Sequence, residues 1–233
     1  MKVIRRRLGV EPTGKAVCVS GLAVEARIAR AAGFTVVVGA GDRERTAALA
    51  QAAATDTDCL VSFGIAGGLA PELEAGTIVV SGQVVSEGYH WAIEPSARQQ
   101  LSRFARSIGA VEGLVLGASS ILATQIEKKQ AWAATDALAV DLESDIVARI
   151  ATTLGIPFIV LRSIADTAQR DLPPAALFRL TTGGKPDFSS IVAAVLRRPL
   201  QLAGMIGLAR ETAIALAALI GPARALHSLV TTM

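Results

Sequence analysis

Ala137-Leu138-Ala139-Val140-Asp141-Leu142-Glu143 and, one helix later, Pro157-Phe158-Ile159-Val160-Leu161-Arg162-Ser163-Ile164-Ala165-Asp166 decide how this chain folds. The first run reads as a short apolar strand, residues 137–140, ending in an acidic turn that holds Asp141 and Glu143. Between the two runs Ile146, Val147, Ile150 and Leu154 recur at helical spacing, the apolar face of an amphipathic helix. Gly155 closes that helix in the C-terminal position that glycine favours. Residues 157–164 are almost wholly apolar, as expected of a strand buried on both faces. In open parallel α/β sheets, ligands bind outside the carboxyl ends of the strands. Glu143 and Asp166 are therefore expected beyond the ends of two adjacent strands, on the side where chemistry happens.

Working outward, the same alternation continues. Strands are expected at 16–19, 34–38, 59–63, 77–85 and 113–116, and helices at 24–32, 43–54, 96–108 and 125–134. Asp42 suits the N-cap of the helix that begins at Arg43. Helices at 173–180, 188–196 and 199–219 follow, with Gly183-Gly184-Lys185-Pro186 as the clearest loop. No repeat or linker interrupts the pattern. The expectation is an α/β fold in a single domain, 1–233, with a central, mostly parallel mixed sheet flanked by helices on both faces. Residues 188–220 form its C-terminal helical segment.

Composition narrows the function. Apolar residues make up 52% of 233 and charged ones 18%, which excludes a disordered chain. Aromatics are 4% and the net charge is +3, neither of which suits a nucleic-acid surface. Cys18 and Cys59 fall inside apolar runs, so no disulfide framework is implied and a reducing cytosol is the simplest compartment. The basic start, Met1-Lys2-Val3-Ile4-Arg5-Arg6-Arg7, lacks the apolar stretch of a secretory signal. No uncharged apolar run reaches the roughly 18 residues of a spanning helix.

Several short segments carry chemistry-bearing residues. Gly64-Ile65-Ala66-Gly67-Gly68 follows a strand, and successive N–H groups in such a loop cradle an anion or a ribose. Gly21-Leu22-Ala23-Val24-Glu25 follows the first strand; Glu25 either complements a helix dipole or carries chemistry. Arg27 and Arg43 are candidate phosphate ligands, or simply solvated surface. Ile121 and Leu122 follow another strand and either pack in the core or line a pocket. His90 lies in the one aromatic cluster, Tyr89-His90-Trp91.

These elements resemble the nucleoside phosphorylase and nucleosidase superfamily. There an acidic turn, here Val140-Asp141-Leu142-Glu143, precedes a strand that ends as Arg162-Ser163-Ile164-Ala165-Asp166 does. The resemblance implies that Glu143, with Leu142 beside it, holds the ribose and that Asp166 protonates the purine N7. It implies that Glu25 activates water, and that Ala66, Gly67 and Gly68 line the sugar site. Gly21 and Ile65, with Arg27 and Arg43, would hold phosphate, although the family often carries a hydroxyl where Ile65 stands. Ile121 and Leu122 would sandwich the base, and His90 would face the sugar. Water and phosphate both remain open as the nucleophile. No metal or organic cofactor is expected, only phosphate as a co-substrate. Dimers, trimers or hexamers are common in that family, which implies a homo-oligomer.

The carboxyl-terminal third, from Val195 through Arg197-Arg198-Pro199 to Arg210-Glu211-Thr212-Ala213, looks like the hopanoid-associated phosphorylases. That resemblance implies adenosylhopane as substrate, with adenine released, in the cytoplasm or peripheral to the inner membrane. The apolar helix at 199–219 then meets lipid, or else packs on the core or another subunit. Three alternatives stand beside it. One is a methylthioadenosine/adenosylhomocysteine nucleosidase or another purine nucleoside phosphorylase. A second is a non-catalytic nucleoside-binding module. The third is an NADP-dependent oxidoreductase, suggested by Gly39-Ala40-Gly41-Asp42-Arg43, whose third fingerprint glycine is replaced by Glu44.

Overall fold

The computed structural model describes residues 15–174 and 202–231. The helices expected at 173–180 and 188–196, and the loop between them, lie essentially outside those residues. In chain order the elements are β1 (Ala16–Ser20), α1 (Ala23–Ala31), β2 (Thr35–Val38), α2 (Arg43–Ala53), β3 (Cys59–Gly68), β4 (Ile78–Ser81), β5 (Gln83–Ser86), β6 (Tyr89–Ala92), α3 (Pro95–Ser107), β7 (Val111–Glu112), β8 (Val115–Gly117), α4 (Gln125–Thr135), β9 (Ala139–Asp141), α5 (Ser144–Leu154), β10 (Phe158–Asp166), α6 (Leu202–Ala218) and α7 (Ile220–Thr231).

The ten strands among the described residues form one mixed sheet whose main path runs β6-β5-β8-β9-β3-β10-β4-β7, with β1 beside the start of β3 and β2 beside β1. β3 is the hub. Its first residues, Cys59 to Ser62, pair in parallel with β1. Leu60 to Gly67 pair in parallel with β10 along its other edge. Its last two residues pair antiparallel with β9.

Alternation along the strands sends successive side chains to opposite faces. Val17, Val19, Leu60 and Val160 pack under α2 and α5, with Ala50, Ile146, Val147 and Ile150. Cys18, Val61, Phe63, Ile159 and Leu161 pack under α1, α3, α6 and α7, with Ala29, Phe104, Leu219 and Leu226. Helices thus cover both faces, and the central strands between them are mostly apolar, with Ser62, Arg162 and Ser163 the buried polar exceptions before the strand ends. Asp42 caps α2 by accepting from the Arg45 N–H at 2.9 Å. Gly155 ends α5 at φ 64°, a left-handed turn that glycine adopts without strain.

Four expectations change. The glycine-rich segment is not a loop, because β3 runs on through Gly68. The strand expected at 77–85 breaks at Gly82 into β4 and β5, which pair with different neighbours. The Tyr89–Ala92 segment, for which the sequence pattern offered no element, is an edge strand. β9 and β10 are not adjacent: β3 lies between them, and β9 runs antiparallel to it. Glu143 is therefore not beyond a shared carboxyl edge. β9 runs antiparallel beside the last two residues of β3, which brings Glu143 alongside the site by a different route.

α6 and α7 together form an apolar stretch, Gly204–Thr231, with mean hydropathy 1.6, long and apolar enough by length and composition to cross a membrane. One stripe, Ala215, Leu219, Ala223, Leu226 and Val230, is buried against the sheet. Spacings of three and four residues make this the core-facing side of an amphipathic pair.

Candidate active site

Glu143 stands at the start of α5, yet its side chain does not cap that helix. Asp141 does so instead: its Oδ1 accepts from the N–H groups of Glu143, at 2.9 Å, and Ser144, at 2.7 Å. The Glu143 carboxylate is thereby free to meet Arg162, whose Nη2 donates to Oε2 at 3.0 Å. Arg162 Nε lies 2.9 Å from Asp141 Oδ2, and Nη2 also donates to Ser62 Oγ at 2.7 Å. A buried guanidinium between two buried carboxylates is held by charge and by its fork geometry together. Burial raises the Glu143 carboxyl above its ordinary value, with Arg162 opposing the rise and Asp141 adding to it.

Glu25, in the first turn of α1, is 2% exposed. One carboxyl oxygen accepts from the Leu22 N–H at 2.8 Å, an ordinary helix-start contact. The other accepts from the Ile65 N–H at 2.8 Å and so ties α1 to β3. Burial pushes Glu25 up to about 7; Arg162 opposes the rise and Glu143 adds to it. Two glycines permit this crowding. A Cβ at Gly64, whose φ is +153°, would lie 2.4 Å from Glu25 Oε1, and one at Gly21 would lie 2.6 Å from Glu143 Oε1.

Asp166 ends β10 at a register shift. Ile164 pairs with Ala66, but Asp166, not Ala165, pairs with Gly67. A bulge of this kind re-aims the side chain that follows it. Asp166 Oδ2 accepts from Lys128 Nζ at 2.5 Å. Burial raises the Asp166 carboxyl, and Lys128 pulls it back.

The three acids line one cavity of about 750 Å³, of a size ordinary for a small-molecule site. Gly21, Ile65, Ala66, Gly67, Ile121, Leu122 and Leu142 share its wall, as do the Gly41-Asp42 turn and Leu172.

A sheet with this order, carrying an acid-lined cavity across the β1, β3, β9 and β10 ends, coincides with a known family over most of its length. The sequence profile of the phosphorylase superfamily matches residues 15–197. The chain belongs to the phosphorylase superfamily. Within that superfamily it is 28% identical, over 137 residues, to the 5′-methylthioadenosine/S-adenosylhomocysteine nucleosidase of Shewanella halifaxensis, covering 50% of this chain and 60% of that one. The chain thus spans about 60% of the length of the curated relatives it matches. Among solved structures of superfamily members, the Neisseria meningitidis nucleosidase in complex with methylthio-immucillin-A superposes with a TM-score of 0.68 at 15% identity, over 94% of this chain and 100% of that one. A single-residue mutant of the Helicobacter pylori nucleosidase with 5′-methylthioadenosine in its active site gives 0.62 at 13% identity, over 89% and 97%.

Membership in the superfamily replaces the oxidoreductase alternative. Gly39 itself serves local packing, since a Cβ there would lie 1.8 Å from Thr46 Oγ1, while Ala40, Gly41 and Asp42 of the same turn line the cavity. Four residues expected in the site stand elsewhere. Gly68 is buried against Ile164, one residue past the cavity wall. His90 is exposed on the edge strand β6, outside the cavity. Arg27 is exposed on α1. Arg43 also lies off the wall: its guanidinium donates to the Ala118 and Leu142 carbonyls, at 2.9 and 3.0 Å, and pairs with Asp145 at 2.5 Å. It braces the Glu143 turn and is not free for phosphate.

Two residues of the site carried no role in the sequence. Arg162 had a signal, a lone charge inside an apolar strand that must find a partner when buried. Lys128 had none: it adjoins Lys129 on an ordinary helix, and only the packing of α4 separates the two.

Proposed function

We propose that this chain hydrolyses the N-glycosidic bond of a purine nucleoside of the methylthioadenosine and adenosylhomocysteine class. The observation that carries this reading is the convergence of Glu25, Glu143 and Asp166 on one cavity in a chain of this superfamily.

Breaking the bond leaves positive charge on the ribose and negative charge on the departing base. Asp166, a buried acid, donates a proton to the purine N7, which neutralises the leaving group; such a donor contributes roughly 10²–10⁴-fold. Glu143, fixed by Arg162, accepts from the ribose hydroxyls and stabilises the cationic sugar. Glu25, with a pKa near neutrality, takes a proton from the attacking nucleophile. Ile121 and Leu122 supply an apolar wall for the base.

Water is favoured over phosphate. Glu25, Asp42, Asp141, Glu143 and Asp166 line the cavity, and no Arg or Lys does so among the described residues. Arg162 is already paired with Asp141 and Glu143, and Lys128 with Asp166, so among the described residues no cation on the cavity wall is left to receive a phosphate dianion. The named activity of the matching relatives favours a short 5′-thio substituent over the lipid of adenosylhopane. On this reading the enzyme is cytoplasmic and oligomeric and needs no membrane surface.

The test is to incubate purified protein with 5′-methylthioadenosine and, separately, adenosylhopane, each with and without phosphate, and to identify the sugar product. Free methylthioribose, formed equally without phosphate, is the expected result. A phosphorylated sugar, or turnover of adenosylhopane alone, overturns it.

A further inference from the structure

We infer that Lys128 is a positioning residue for Asp166: its ammonium holds Oδ2, turns Oδ1 to the substrate, and stabilises the carboxylate left when Asp166 gives up its proton. This rests on the reading of Asp166 as the general acid.

Lys128 belongs to α4, which sits 38 residues before Asp166. Its side chain is 1% exposed. All three ammonium hydrogens have acceptors, and all three acceptors lie on one segment: Asp166 Oδ2 at 2.5 Å, the Thr167 carbonyl at 2.8 Å and the Arg170 carbonyl at 3.0 Å. Burying a lysine is costly unless its charge is answered. A neutral donor would suffice to staple two carbonyls; the charge is what a carboxylate requires. Asp166 also faces Arg170, which follows it, and Glu211 on α6. These two pair with each other, so Lys128 is the cation closest to the acid. Across the cavity stand Glu143 and Glu25.

In the reaction one proton leaves Asp166 Oδ1 and bonds to the purine N7, while the electrons of the C–N bond go to the base. Lys128 keeps its own protons throughout. Its attraction grows as the carboxylate forms, which is the sense of charge stabilisation that speeds the step. Afterwards Asp166 regains a proton from solvent. Burial alone would make Asp166 a weak acid, and the lysine restores its strength.

The experiment compares wild type with Lys128→Met, Lys128→Arg and Asp166→Asn. Adenine release from 5′-methylthioadenosine is followed between about pH 5 and 9, and the Asp166 carboxyl is titrated by carbon-13 NMR, its signal identified by its loss in Asp166→Asn. In Lys128→Met, kcat should fall by about 10–100-fold, and the apparent pKa belonging to Asp166 should rise by about one unit or more in both measurements. Lys128→Arg should keep that pKa. An unchanged Asp166 titration in Lys128→Met overturns the inference, whatever happens to the rate. If Lys128→Met does not fold, Lys128→Gln, neutral but still polar, takes its place. Full activity in Asp166→Asn, or no purine release by wild type, refutes the functional reading instead, and the NMR titration still decides whether Lys128 governs Asp166.

Discussion

The Arg162 guanidinium joins Glu143, 3.0 Å away, to Asp141, 2.9 Å away, beneath the floor of the cavity, with all three side chains buried. One cation thus fixes both acids of the turn that the sequence places between β9 and α5. Removing it leaves two carboxylates buried without an answering charge. Arg162→Met is expected to lower the unfolding free energy by roughly 3–5 kcal/mol, measured by urea denaturation. Arg162→Lys should recover only part of that loss, because an ammonium cannot span both carboxylates as the planar fork does.

Glu25 makes stability and activity depend on pH in opposite directions. Its folded-state value of about 7 stands above the ordinary 4.5, so the folded protein holds that proton where the unfolded chain has lost it. The stabilising contribution is full below the unfolded value and fades as pH rises through about 7. Glu25→Gln lacks this dependence. Between about pH 5 and 8, wild type should lose roughly 2–3 kcal/mol relative to the variant. Hydrolysis, which needs the ionised base, should rise with pH over that same interval in wild type and be nearly abolished in the variant.

Gly21 is required by closeness, not by backbone conformation. A methyl group there would press on Glu143 Oε1 at 2.6 Å. Gly21→Ala should cost about 1–3 kcal/mol of stability and displace the Glu143 carboxylate. The expected kinetic result is a loss of kcat/KM of about tenfold or more, since misplaced groups lose oriented contact with the transition state. Equal kcat/KM values would show that Glu143 does not need its present position.

Arg43 braces the site from outside. Its guanidinium gathers the Ala118 and Leu142 carbonyls and Asp145 onto one centre. Arg43→Ala should lower stability by about 1–3 kcal/mol and reduce kcat/KM. Adding phosphate should change the rate of neither protein, whereas a phosphate ligand at this position would make the wild-type rate phosphate-dependent.

Much of this was legible before any coordinates. Alternating strand and helix patterns located most of the described elements, because the periods of two and 3.6 are printed in the apolar residues, but they missed β6, β7 and α7 and merged β4 with β5. Glu25, Glu143 and Asp166 stood out as acids just past strands, and all three do line one cavity. The glycine segment read as a loop because glycines mark turns in most contexts; here they keep β3 in the sheet while leaving room for the Glu25 carboxylate. Arg43 and His90 were misplaced because a side chain's partner is set by distant chain, and no local pattern records it. For Arg43 that partner is Asp145, 102 residues away.

By itself, the sequence determined the layered α/β architecture, since burial of apolar periodic segments follows from composition and spacing, while Glu25, Glu143 and Asp166 were singled out by their places after strands and by the family resemblance. Only the tertiary structure decided how those acids face one another. The antiparallel pairing of β9 with the end of β3, the bulge that re-aims Asp166, and the placement of Lys128 rather than Lys129 against it all depend on contacts between residues far apart in the chain. Such contacts are selected by packing over the whole domain, and a linear pattern holds no term for them.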